Sequence, residues 1–94
     1  MDNDLPETLT LVLKRPLQLG DGPAVAELHL EEPTAGQIET ALKEPSAVSA
    51  NIVLVSLVAK LAPAQVRAML TSDFNKAVDF LSGFTRETAP APGA

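Results

Sequence analysis

The chain has 94 residues, no cysteine, three phenylalanines as its entire aromatic content, and a formal net charge of −5. This length allows one small domain, and the lack of cysteine excludes disulfides, thiolate nucleophiles and cysteine-bound zinc. The acidic, polar N-terminus is unlike a signal or transit peptide, and no apolar run approaches the roughly 20 residues that span a bilayer. We therefore expect a soluble intracellular protein that makes no membrane contact.

Charge is unevenly distributed along the chain. Residues 1–44 carry nine acidic and three basic side chains, whereas residues 45–94 carry three acidic and four basic ones. The first half would repel a phosphate backbone, and the second half lacks a cluster of Lys and Arg. Nucleic acid is therefore not an expected partner.

Alternating apolar residues predict an antiparallel hairpin over residues 8–31. In the second strand, Ala26 is expected on the same face as Leu28 and Leu30. Residues Gly20 to Pro23 are expected to form the turn. Pro16 predicts an edge or a break in the first strand. The face expected to enter the core consists of Leu9, Leu11, Leu13, Leu28 and Leu30.

Helices are predicted at about 34–44, 47–61, 63–70 and 72–84. Thr34 and Gln37 have capping-box spacing, Pro63 suits the first position of a helix, and Asp73 suits a first turn. The predicted fold class is α+β, with the hairpin packed against three to four short helices in one domain spanning residues 8–84. Residues 1–7 and 85–94 are expected to be disordered.

The second predicted helix is apolar almost all the way round. Ser49, Ser56 and Lys60 form one narrow polar stripe on a helical wheel, with Asn51 standing alone. Two interpretations remain open at this point. Either the rest of the domain covers these apolar faces, or some of them are exposed and mark a protein contact.

Catalytic and metal-binding patterns are weak. His29 is the single histidine and shares a strand face with Glu27 and Glu31, but a solvated outer face explains this better than a metal site, which needs braced ligands. No motif supplies an activated nucleophile or a phosphate-binding loop. We expect no enzyme activity, no metal and no other cofactor.

Residues 9–84 as a whole resemble the phage tail assembly chaperones of the short E-type group of long-tailed phages and prophages. The resemblance rests on the hairpin TLVLKRPLQLGDGPAVAELHLEEPTAGQI and on the C-terminal pattern KLAPAQVRAMLTSDFNKAVDFLSGF. It lies in the order of these segments, since neither contains a catalytic motif.

The resemblance implies a role in virion assembly within the cytoplasm of the bacterial host, and absence from the finished virion. Its implied partner is the tape measure protein, which such chaperones keep soluble until tube protein polymerises around it, so that the tail tube protein is a further implied contact. A helical partner with apolar stripes needs an apolar groove, for which the second and last helices are the expected walls. The expected contact residues are Val53, Leu54, Leu57, Phe80 and Phe84.

A second hypothesis belongs to a different class. The chain would be a small structural or adaptor subunit of a phage or bacterial assembly, and its apolar helix faces would be buried permanently in a homo-oligomer. Dependence of particle size on concentration distinguishes the two hypotheses, because a chaperone should remain a small soluble species.

Overall fold

The computed structural model describes residues 8–18 and 20–88, and it confirms the predicted α+β class with an N-terminal antiparallel hairpin and four helices. The elements are β1 (Thr8–Leu17), β2 (Val25–Glu31), α1 (Ala35–Leu42), α2 (Ala47–Ala59), α3 (Pro63–Arg67) and α4 (Thr71–Thr88). The predicted disorder at 1–7 and at 89–94 lies outside the described residues. The predicted C-terminal tail began at 85, but α4 continues to Thr88 because no proline occurs before Pro90.

The hairpin register confirms the predicted core face. Leu9 pairs with Leu30 and Leu11 with Leu28, so leucines of both strands share the side covered by helices. Leu11, Leu13, Leu28 and Leu30 are buried and Leu9 is partly buried. Gly20 adopts a positive φ of 63° at the predicted turn.

The β1 strand is irregular between Val12 and Leu17. Val12 pairs with Glu27, whereas Leu17 pairs with Val25, so β1 has three more residues than β2 in this interval. Leu17 is buried at the same parity as Leu11 and Leu13, and its partner Val25 is partly buried, whereas Ala26, which was expected to face inward, is exposed. The strand therefore resumes after Pro16 with its apolar side still facing the helices.

Helix α2 lies at the centre of the molecule and contacts α1, α3, α4 and β2, while α4 also contacts β1. Among its residues, Val55 is completely buried, and Leu54 and Val58 are nearly so. The hairpin and the other helices therefore cover most of this helix, as one of the two interpretations proposed. None of the helices in the described part of the chain is both long and apolar enough to cross a bilayer.

All four helices have boundaries that differ from the predicted ones, and α4 spans Thr71–Thr88 where 72–84 was predicted. Helix α1 ends at Leu42 with Lys43 as C-cap, and α2 ends at Ala59 because Lys60 takes the left-handed conformation. Helix α3 is shorter than predicted and ends at Arg67, after which the chain carries Met69 into the core. The capping box of Thr34 and Gln37 is present, with both side chains bonded to backbone N–H groups at 2.9 and 3.1 Å.

Candidate partner-binding surface

The five residues predicted to contact a partner do not share one environment. Leu54 is only 6% exposed and belongs to the core cluster of the monomer, so it is unavailable at the surface. The other four, Val53, Leu57, Phe80 and Phe84, are partly exposed. They lie on two helices that contact each other, α2 and α4.

On α4, two of these residues form an aromatic pair. The rings of Phe80 and Phe84 are 5.3 Å apart between centroids and are inclined at 80°, an edge-to-face arrangement. Phe80 also packs against the core, as does Val53 on α2. Substitution of either residue would therefore affect folding as well as binding, whereas Leu57 and Phe84 are cleaner positions for testing a surface.

The polar stripe of α2 is not exposed along its whole length. Ser56 is 3% exposed, and its hydroxyl donates a hydrogen bond of 2.7 Å to the carbonyl oxygen of Val53. A serine can bond to the preceding helical turn in this way, which satisfies its hydroxyl without solvent. Ser56 thus faces the interior of the molecule.

Sequence reasoning missed two exposed apolar residues at the connection between α1 and α2. Leu42, in the last turn of α1, is 71% exposed, and Val48, in the first turn of α2, is 63% exposed. We call these two residues the α1–α2 corner. The available signal was their position beside the short connection 43–46, because residues at helix ends have fewer neighbours to cover them.

The outer face of the hairpin carries the titratable cluster noted in the sequence. The Nε2 atom of His29 lies 3.8 Å from Glu27 Oε1, and its Nδ1 atom lies 3.4 Å from the hydroxyl oxygen of Thr10. The His29 side chain is 76% exposed. In the ranges 8–18 and 20–88, no three His, Cys, Asp or Glu residues form a group that could hold a metal ion.

Asp73 is the buried carboxylate of the molecule's interior, with no exposed surface. It accepts hydrogen bonds from the backbone N–H of Lys14 at 2.9 and 3.1 Å, and from that of Arg15 at 3.4 Å. These partners are backbone groups in the irregular part of β1. The carboxylate therefore joins α4 to the hairpin, which is a structural task.

Comparison with known proteins adds a family to this geometry. No curated protein and no solved structure shows a significant match to the chain. A family profile described as "Phage tail assembly chaperone proteins, E, or 41 or 14" matches residues 10–86, which include nearly all of the hairpin and all but the end of α4. The chain therefore belongs to this family of phage tail assembly chaperones.

Proposed function

We propose that this chaperone binds the tape measure protein of its phage and keeps it soluble in the host cytoplasm while the tail assembles. Family membership supports an assembly role, and the partly exposed apolar residues of α2 and α4 support a helical, apolar partner. The role is non-catalytic and temporary, so the protein would be absent from the finished virion. The tail tube protein is a second proposed contact, made when it displaces the chaperone.

The single observation that carries the proposal beyond the family is apolar surface left uncovered on the helical side. Leu57 and Phe84 are partly exposed, and the α1–α2 corner adds two side chains that are mostly exposed. An amphipathic helix can place its apolar stripe along such a surface at intervals of three and four residues. Burial of the aromatic and aliphatic side chains then supplies most of the binding free energy.

The hairpin has a complementary role in this proposal. Its outer face and the segment that follows expose Glu27, Glu31 and Glu32. A surface with excess negative charge opposes self-association and precipitation. The complex would stay soluble because the acidic hairpin remains in solvent while the helices hold the apolar partner.

Co-expression with the tape measure protein tests the proposal. We expect the wild-type chaperone to move the tape measure protein into the soluble fraction. The double variant Leu57→Ser and Phe84→Ser should lose this effect while keeping the circular dichroism spectrum of the folded protein, because both residues are only partly buried.

The control is Val12→Ser, which removes an apolar side chain, 66% exposed, from the outer face of the hairpin. It should leave the effect intact. A tape measure protein that stays insoluble beside the wild-type chaperone would refute the proposal. If Val12→Ser lowered the soluble fraction of the tape measure protein as much as the double variant does, the binding surface would not be the one that contains Leu57 and Phe84.

The α1–α2 corner favours a second candidate function, a self-associating structural or adaptor subunit. Contact between copies could bury Leu42 and Val48, which the monomer leaves exposed. Light scattering across a concentration series separates the two functions. A particle mass that rises with concentration, and falls in Leu42→Ser with Val48→Ser, would favour the subunit over the chaperone.

A further inference from the structure

The two edges of the hairpin differ in the hydrogen bonds that they make with the rest of the described molecule. Within residues 8–18 and 20–88 the sheet consists of β1 and β2, so each strand has one edge without a neighbouring strand from this part of the chain. At the β1 edge, Asp73 accepts hydrogen bonds from Lys14 and Arg15, and Pro16 has no N–H to offer. Within the described residues, by contrast, no hydrogen bond from outside the hairpin reaches the backbone of β2.

The open edge of β2 borders a groove of about 390 Å³. One wall consists of β2 residues between Val25 and Glu31, and the other consists of residues 58–61 at the end of α2. Consecutive residues Glu27, Leu28 and His29 all line it, although neighbouring strand residues point to opposite faces. The groove therefore follows the backbone edge of the strand, which is where another strand would add.

The charges of this groove define its occupant. Glu27 and Glu31 line the strand side, and the carbonyl end of α2 on the opposite side carries the negative pole of the helix dipole. Lys60 is the one ammonium group among the lining residues, so two carboxylates face one cation. Cationic side chains on an entering strand would be attracted, and acidic ones repelled.

Other occupants from this chain fit poorly. In an antiparallel pairing of two β2 strands centred on His29, Glu27 of each copy would lie opposite Glu31 of the other, and like charges in that position destabilise a sheet. Residues 1–7 are acidic by sequence, and residues 89–94 contain two prolines and no basic side chain. Residues 1–7 and 89–94 therefore do not suit an acidic groove beside a strand edge, and the β2–β2 pairing centred on His29 is disfavoured by its charges.

We propose that the open edge of β2 is a docking site for an extended, basic segment of a partner protein, which adds as a third strand to the hairpin. The backbone N–H and C=O groups on the open edge of β2 form the inter-strand hydrogen bonds. Glu27 and Glu31 select Lys or Arg at alternate positions of the partner. This surface is distinct from the helical surface proposed for the tape measure protein, and it allows the chaperone to hold two different segments together.

Peptide titration tests the site on the full-length protein. The probe is a peptide of alternating Val and Lys with the same length as β2, seven residues. Amide shifts in the NMR spectrum should change at residues 25–31 and 58–61. The same peptide with Glu in place of Lys should not bind. N-methylation of those alternate amides of the Lys peptide that face β2 should abolish binding, because it removes the N–H donors of the inter-strand hydrogen bonds.

The charge-reversed variant Glu27→Lys with Glu31→Lys should weaken binding about tenfold. Glu39→Lys is the matched control, since Glu39 is an exposed acid on α1, and it should bind like the wild type. Three results would overturn the proposal: no binding of the Lys peptide, equal binding of its N-methylated form, or a wild-type dimer whose interface contains β2. The last result would assign the edge to a second copy.

Discussion

Asp73 joins the hairpin to the helices through hydrogen bonds from its buried carboxylate. Its carboxylate is fully buried in the first turn of α4. It accepts hydrogen bonds from the backbone N–H groups of Lys14 and Arg15, which lie 59 and 58 positions earlier in the chain. Arg15 adds a second link, because its Nη2 atom donates a hydrogen bond of 2.9 Å to the carbonyl oxygen of Ala68. The irregular part of β1 is thereby fixed to the start of α4.

Replacement of Asp73 by Ala should lower the free energy of unfolding by about 2–4 kcal/mol, because two partly buried backbone N–H groups would lose their acceptor. Asp73→Asn should be intermediate, since an amide offers one acceptor oxygen and places an NH₂ group near the other donor. Asp79→Ala is the control on the same helix, where the acid is exposed. Urea denaturation measures all three, and equal midpoints for Asp73→Ala and the wild type would contradict the role.

At the scale of elements, local signals predicted the starts of helices better than their ends. The capping box of α1 and the proline at the start of α3 depend on residues within one turn, so the sequence alone indicates them. The end of α2 depends on Lys60, whose φ of 63° is unusual for a residue with a side chain. Nothing in the residue type signals that conformation.

Lys60→Gly should therefore stabilise the protein by about 0.5–1 kcal/mol, because glycine adopts a positive φ without the steric cost of a Cβ atom. Lys43 provides a matched control, since it caps α1 with an ordinary φ of −74°. Lys43→Gly should be neutral or destabilising. A thermal melt in which both substitutions shift the midpoint equally would contradict the explanation.

The candidate surface was harder to predict than the elements. Helix α2 is apolar on nearly every face, so its sequence does not tell which side its neighbours cover. Leu54 consequently lies in the core although it was expected at the surface, while Val48 is exposed at the helix start. The contact of Asp73 with β1 could not be predicted from the sequence either, because it joins distant parts of the chain and depends on the irregularity of β1.

At the scale of the whole molecule, the exposed apolar residues Leu42 and Val48 lie on helices, whereas the outer face of the hairpin exposes several acids together with Val12. The hairpin exposes its acidic face, and the helices present partly exposed Leu57 and Phe84 together with the α1–α2 corner. In the proposed complex, the helices would hold the apolar partner and the acids of the hairpin would keep the complex in solution.

Light scattering of the denatured tape measure protein after dilution into buffer measures whether the chaperone keeps this partner soluble. With an equimolar amount of the wild-type chaperone present, we predict that scattering stays near the baseline and that both proteins elute in one soluble complex. The double variant Leu57→Ser and Phe84→Ser, folded by circular dichroism, should fail to suppress the rise. Scattering that rises equally with and without the wild-type chaperone would contradict the account.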